Sequence, residues 1–267
     1  MYPKEIIAGI DLYTVFLGLA VVAAIVVLRI CADKMKIGAR LQNFIMISAV
    51  VAVIVGYYSA VFFQALYNIK ALGEFRIDSD TGATFYGGLI GGALCFTLVF
   101  FLVGRIWFKD ARLHTVNFFK VTNVAAASIS VAHAFGRIGC LMAGCCHGKV
   151  TEAWYGIYME SVGERVVPIQ LFEAIFLFLL FAFFVWRIFR NKIYNLPIYM
   201  GAYGIWRFII EEFRDDYRGS TLIDGITPSQ LIALLMIVGA VALYFVEKHT
   251  MLKLPKETEC SNDIDQK

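Results

Sequence analysis

The residues best equipped for chemistry in this 267-residue chain lie in one stretch, His133 to Gly148, which reads HAFGRIGCLMAGCCHG. It holds Arg137, the thiols of Cys140, Cys145 and Cys146, the imidazoles of His133 and His147, and glycines at 136, 139, 144 and 148. A guanidinium among glycines suits phosphate capture. Its planar fork matches phosphate oxygens, and glycine lets a backbone approach a ligand closely. We read the stretch as a headgroup-binding loop following an apolar helix. Thiols and imidazole this close also raise zinc binding and disulfide exchange. The C-x4-C-C-H spacing is not a usual zinc spacing, and adjacent cysteines ligate one ion poorly. The expectation is therefore no metal and no cofactor, with the thiols packed as small apolar groups. A Cys140–Cys145 or Cys140–Cys146 disulfide is the alternative on an oxidising face.

Four other places carry polar groups in apolar surroundings. Arg207, Glu211 and Arg214 are spaced by four and three, which makes one helical stripe. Arg207 sits well inside an apolar run, so a carboxylate partner is expected, and Glu211 is the local choice. Gln170 and Glu173 share a face at the start of another run, behind Pro168. Thr84 to Gly92 reads TFYGGLIGG. Its two small-xxx-small pairs fit close helix packing, while glycines at a helix start also bare N–H groups to a phosphate. Tyr86 beside Gly87 and Gly88 is a candidate for proton handling or headgroup contact. Tyr13 is an interfacial anchor or a hydroxyl turned to a headgroup. His133 is either a satisfied interior histidine or a titrating group.

These residues need holders, and composition says what kind. The chain is 60% hydrophobic and 17% charged, with mean hydropathy +0.70, too apolar for an ordinary soluble domain. Its apolar residues fall in runs near the ~20 residues that a membrane-crossing helix takes, rather than in short alternating strands. We expect an all-α polytopic membrane protein with seven spans, near 12–30, 44–66, 84–103, 116–135, 169–189, 197–213 and 228–246. Residues 1–247 form one transmembrane domain and 248–267 a polar tail. Met1 to Leu12 carries Glu5 and Asp11 and lacks the features of a cleaved leader. No basic face suited to nucleic acid appears. Lysines and arginines collect in alternate connections (Lys34, Lys36, Arg40; Arg105, Lys109, Arg112; Arg187, Arg190, Lys192) and in the tail. The intervening connections are mixed or acidic. By the positive-inside rule the amino end lies outside and the tail in the cytoplasm. All the polar features above then fall on the outer side, and such convergence is what a site needs.

The motifs resemble those of the prolipoprotein diacylglyceryl transferase family over nearly the whole chain. Tyr86-Gly-Gly-Leu-Ile-Gly91 is similar to the family's His-Gly-Gly-Leu-x-Gly, and Gly136 to Gly148 to its signature loop. Pro168 to Glu173 resembles its Pro-Ser-Gln-Leu-Tyr-Glu. Arg207 and Glu211 match its Arg-x-x-x-Glu pair, Ser229-Gln230 the opening of its last span, and Tyr13 its first-span tyrosine. The resemblance implies transfer of the diacylglyceryl group of phosphatidylglycerol to the lipobox cysteine of prolipoprotein signal peptides, in the bacterial cytoplasmic membrane with the site toward the outer leaflet. It implies substrate binding by Arg137, Gly87, Gly88, Tyr13 and Gly148, and catalysis by Tyr86, Arg207 and Glu211. The chain departs from the family at four positions: Tyr86 replaces a histidine, Cys140 and Ala143 replace asparagines, and Cys145 replaces a glutamate. His133 or His147 is then a candidate base. The alternative is a relative that uses the same lipid site for another acceptor or a thiol-redox task. A transporter would show paired inverted repeats, and none is visible.

Overall fold

The structure is a computed structural model that describes residues 11–252 apart from 73–74, 76, 79–80, 83, 108–110 and 216–224. Seven α-helices occur among these residues: α1 (Leu12–Lys34), α2 (Ala39–Leu72), α3 (Phe85–Trp107), α4 (Ala111–Ala143), α5 (Ile169–Phe189), α6 (Asn195–Ile210) and α7 (Pro228–Leu252). A small antiparallel hairpin, β1 (Ile157–Met159) and β2 (Glu164–Val166), stands between α4 and α5. The sequence reading lacked this hairpin. All the helices but α6 are long and apolar enough to cross a membrane, as in a multi-pass membrane protein. α6 has 16 residues, ~24 Å at helical rise, and a 3-10 turn, Glu211–Phe213, extends it. α7 runs on through the start of the expected tail to Leu252, and 253–267 lie outside the described residues.

One expectation is corrected. α4 continues to Ala143, so His133, Arg137 and Cys140 are helical rather than part of a loop. The glycines there do not break the helix, because one of them serves packing. A Cβ on Gly139 would lie 3.2 Å from Cδ2 of Tyr13, so its bareness admits α1. The helix stops only at Gly144, whose φ of +70° leaves the helical region.

The chain divides into two compact units, one built on 11–36 and 119–252 and the other on 37–118. In the second, α2 and α3 pack through small residues. A Cβ on Gly56 would meet the Gly88 carbonyl at 3.0 Å, and one on Gly92 would meet the Ala52 carbonyl at 3.2 Å. Gly87 lies against Phe63 and Gly91 against Ser59. The glycine motif is therefore occupied by close helix packing.

In the first unit, Asp11 caps α1 by accepting from the Thr14 amide and hydroxyl, both at 2.7 Å. Those bonds hold its carboxyl below the usual carboxylate range. Gly204 of α6 lies against Ala233 of α7, where a Cβ would come within 3.0 Å of the Ala233 carbonyl. At the other end of these helices a buried polar knot ties the unit together. Asn123 donates to Glu247 at 2.6 Å and accepts from the Asn195 amide at 2.7 Å. Arg187 reaches the Asn195 side chain at 2.8 Å. Asn123→Ala leaves the Asn195 amide without its acceptor, at a cost of ~1–3 kcal/mol. We expect a lower thermal midpoint in detergent micelles with unchanged affinity for phospholipid headgroups. An unchanged midpoint would show that the knot adds nothing.

Candidate active site

Five segments of the first unit supply the site. They are the last turns of α4, the connection after it, the first turn of α5, the last turn of α6 with its 3-10 extension, and the first turn of α7. Arg137 of α4 pairs through Nε with Glu173 of α5 at 3.0 Å. Glu173 is fully buried, so the pair is withdrawn from solvent screening. The second Glu173 oxygen accepts from the Tyr203 hydroxyl of α6 at 2.6 Å. Arg207 stands one turn beyond Tyr203 on the same face, and its charge acts on Glu173 and His133. Both guanidinium groups therefore act on Glu173, Arg137 by direct pairing and Arg207 through its charge.

The Arg207 side chain is 5% exposed. Its Nη2 pairs with Glu211 at 2.6 Å and donates to the Ser229 hydroxyl at 3.1 Å. The Gly204–Ala233 contact brings α6 and α7 together one turn away, which lets this short bond form. Glu211 also accepts from Thr227 at 3.1 Å and lies 3.7 Å from Nε of Arg214. The expected Arg207–Glu211–Arg214 stripe is therefore present. Nη1 of Arg207 is buried with no hydrogen-bond partner among the described residues. Such a donor is costly unless something arrives to accept from it.

The His133 ring lies between two tyrosines of α6. Its Nε2 is 3.4 Å from Tyr203 Oη and its Nδ1 is 3.3 Å from Tyr199 Oη. Tyr203 gives its only proton to Glu173, so it accepts from Nε2–H of His133. Nδ1 then accepts from Tyr199. Both ring nitrogens are engaged, which is the satisfied interior histidine. His147 differs. Its Nδ1 lies 3.0 Å from the Gly148 carbonyl, to which it donates, and among the described residues its Nε2 has no partner.

The connection after α4 is fastened at several points. Ser161 donates to the Gly144 carbonyl at 2.6 Å, and the Gln170 side chain donates to the Cys145 carbonyl. Gln170 and Glu173, on one face of α5, thus grip the connection and the helix it leaves. The Gly148 amide donates to the Val167 carbonyl at 2.9 Å, and the Lys149 amide to the Phe213 carbonyl at 3.0 Å. A Cβ on Gly148 would come within 2.6 Å of the Phe213 carbonyl. Gly148 is needed so that this segment can lie between α5 and the 3-10 turn. Gly148→Ala should part the segment from Phe213 and lower activity ~10-fold or more, on the scale of a misplaced catalytic geometry. Activity equal to the parent's would remove that account.

Cys140, Cys145 and Cys146 form no disulfide, and their sulfurs all lie within 4.8 Å of one another. The neighbouring thiols push the Cys145 thiol up, so it resists ionisation. Arg137 and Tyr13 are both within electrostatic reach of Cys140. Tyr13 therefore belongs to the neighbourhood of the cysteines. Tyr86, Gly87 and Gly88 lie in the other unit, and the side chain of Tyr86 lies outside the described residues. The expected bare amide is absent at Gly88, whose N–H donates to the Thr84 carbonyl at 3.1 Å. As the fourth helical residue it already closes a turn.

Residues 5–246 match the family model described as Prolipoprotein diacylglyceryl transferase. The chain belongs to the prolipoprotein diacylglyceryl transferase family. It is 34% identical over 188 residues to phosphatidylglycerol–prolipoprotein diacylglyceryl transferase 2 of Clostridium perfringens (strain 13 / Type A), covering 68% of this chain and 67% of that protein. A phosphatidylglycerol–prolipoprotein diacylglyceryl transferase of Clostridium tetani (strain Massachusetts / E88) is 26% identical over 248 residues, 88% of this chain and 92% of that one. One of Finegoldia magna is 28% identical over 256 residues, 92% and 96% of the two chains.

Sequence reasoning missed Tyr199 and Tyr203 as parts of this diacylglyceryl transferase site. Their signal was present: Tyr199, Tyr203 and Arg207 of α6 and Glu211 of the turn that extends it recur every four residues, so neighbours in the series share a face. Glu173, read as a polar helix start, proves to be the partner of Arg137.

Proposed function

We propose that this chain transfers the diacylglyceryl group of phosphatidylglycerol to the cysteine thiol of a prolipoprotein lipobox, releasing glycerol phosphate. The observation that carries the reading is the buried, unpartnered Nη1 of Arg207 beside the Arg137–Glu173 pair. A lipid phosphate is an acceptor of the right charge for that donor.

The thiolate sulfur attacks the glyceryl carbon that carries the phosphate. A carbon–sulfur bond forms, the carbon–oxygen bond breaks, and glycerol phosphate leaves with the electron pair. Charge grows on the phosphate as it leaves. Fixed guanidinium groups of Arg137 and Arg207 stabilise that charge without reorganisation. Glu211 and Glu173 hold the two arginines in place, and Tyr13 and Gly148 shape the approach. The thiol proton must go to a base. His147, with Nε2 open, suits that role better than His133, whose nitrogens are both engaged. Tyr86 remains the candidate that the family resemblance supplies, as do Gly87 and Gly88 for headgroup contact, although packing against α2 occupies both glycines.

On the reading of seven spans with the amino end outside, which the alternation of basic connections along the sequence supports, this site faces the outer leaflet of the bacterial cytoplasmic membrane. Residues 1–247 then form the membrane domain, with a cytoplasmic tail behind it. The test is direct. Purified protein is incubated with labelled phosphatidylglycerol and a lipobox peptide, and the peptide mass is measured. A thioether-linked diacylglyceryl adduct is expected on the cysteine peptide and none on its serine analogue. Label appearing on another acceptor, or no adduct at all, would overturn the reading.

A further inference from the structure

The three thiols at the end of α4 and just after it are arranged in a way that their spacing did not foretell. Consecutive side chains in extended backbone point to opposite sides, and for that reason adjacent cysteines make poor ligands for one ion. Here the backbone removes the obstacle. The chain turns at Gly144, φ +70°, and Cys146 itself adopts φ +62°, a left-handed conformation that a residue with a side chain seldom takes. The Cys145 amide donates back to the Cys140 carbonyl at 3.2 Å. The result places all three sulfurs within 4.8 Å of one another. Gln170 and Ser161 clamp the turn from outside. Cys145 is exposed while Cys140 and Cys146 are half-buried, so the cluster is open on one side. It also adjoins the anion-binding residues, because Cys140 follows Arg137 by three on α4 and the two interact electrostatically.

We propose that Cys140, Cys145 and Cys146 bind one zinc ion as thiolates, and that the open fourth position takes the lipobox cysteine and activates it as a zinc thiolate. Tetrahedral zinc–sulfur bonds of ~2.3 Å set the sulfurs about 3.8 Å apart, and the three observed sulfurs lie within 4.8 Å. Three protein ligands with one open position is the arrangement of catalytic zinc. Two thiols would suffice for a disulfide, and the third would have no role. The four thiolates on a divalent ion carry a net charge of −2, which keeps the incoming sulfur electron-rich. Arg137 stands beside Cys140 to offset it. On coordination the lipobox thiol loses its proton to solvent, so this route needs no side-chain base, His147 included. Its sulfur then forms the bond to the glyceryl carbon, the carbon–oxygen bond breaks, and glycerol phosphate leaves as the dianion. The resulting thioether is a weak ligand and departs from the ion. This inference rests on the transfer reading above for the identity of the fourth ligand, whereas the ion site stands on the three sulfurs alone.

The test uses the full chain in detergent micelles, reduced, stripped of metal and titrated with cobalt(II). Thiolate-to-cobalt absorption in the near ultraviolet is expected to saturate at one ion per chain and to be displaced by zinc. The visible cobalt bands should shift when a cysteine lipobox peptide is added and stay still with its serine analogue. Cys145→Ser and Cys146→Ser, each checked for an unchanged elution volume and thermal midpoint, should lose the bands. Because Cys140 lies in α4 and its loss could disturb the helix, the two loop variants decide the matter. Bands absent in the parent, bands unchanged in both variants, or full transfer by the metal-free protein would overturn the proposal. Full metal-free transfer would still leave the enzyme reading standing. Cobalt bands that respond to the peptide without any diacylglyceryl adduct would support the ion site and sink the transfer reading instead.

Discussion

Replacing Arg137 by lysine should lower diacylglyceryl transfer ~10²-fold or more while the protein keeps its thermal midpoint. Lysine preserves the charge, so Glu173, buried to 0% exposure, still has a cation. What is lost is the planar fork that binds phosphate oxygens in pairs. Arg137→Ala does something further. It leaves a buried carboxylate without its counter-ion, at ~3–5 kcal/mol, so the alanine variant loses both activity and stability. The two effects separate in the double variant Arg137→Ala/Glu173→Gln. Glutamine is neutral and still accepts from Tyr203, whose bond to Glu173 is 2.6 Å. Stability should return, while transfer should not. The readouts are adduct formation on a lipobox peptide and thermal unfolding in the same detergent. If the lysine variant worked at the parent's rate, Arg137 would be a structural ion-pair member and nothing more.

What could be read from the sequence was what local pattern determines. Span five was placed at 169–189, and α5 is Ile169–Phe189, because a proline and a basic turn bracket one apolar run. The Arg207–Glu211 pair was legible for the same reason, since both residues lie on one short stretch of helix with fixed geometry. What crosses between helices was not legible. Arg137 needed a counter-ion, but periodicity cannot say that α5 rather than α6 supplies it. The thiol cluster was hidden differently. It depends on two left-handed backbone conformations, at Gly144 and Cys146, and spacing rules for ligands assume ordinary backbone. The helix end was misjudged because glycines in an apolar helix look like a loop until their packing partner is known. For Gly139 that partner is Tyr13, more than a hundred residues earlier.

The second large effect concerns Arg207, and its decisive form is a pairwise measurement. Arg207→Lys keeps the contact with Glu211 but removes Nη1, the donor that no described residue accepts from. Transfer should fall ~10²-fold, as for loss of one preorganised donor to a transition-state oxyanion. Arg137 and Arg207 come from helices far apart in sequence, and each could matter for its own reason. If they hold one phosphate, their effects are coupled, because once the first guanidinium is lost the lipid no longer sits where the second can reach it. The double variant Arg137→Lys/Arg207→Lys should then transfer faster than the product of the two single losses predicts, by a factor that corresponds to at least ~1 kcal/mol of coupling. Phosphatidylglycerol binding, followed by fluorescence of a labelled lipid, should show the same shortfall from additivity. Losses that simply multiply would mean two independent sites of action. The shared phosphate would then have to be given up, even though both residues stand at one end of the same unit.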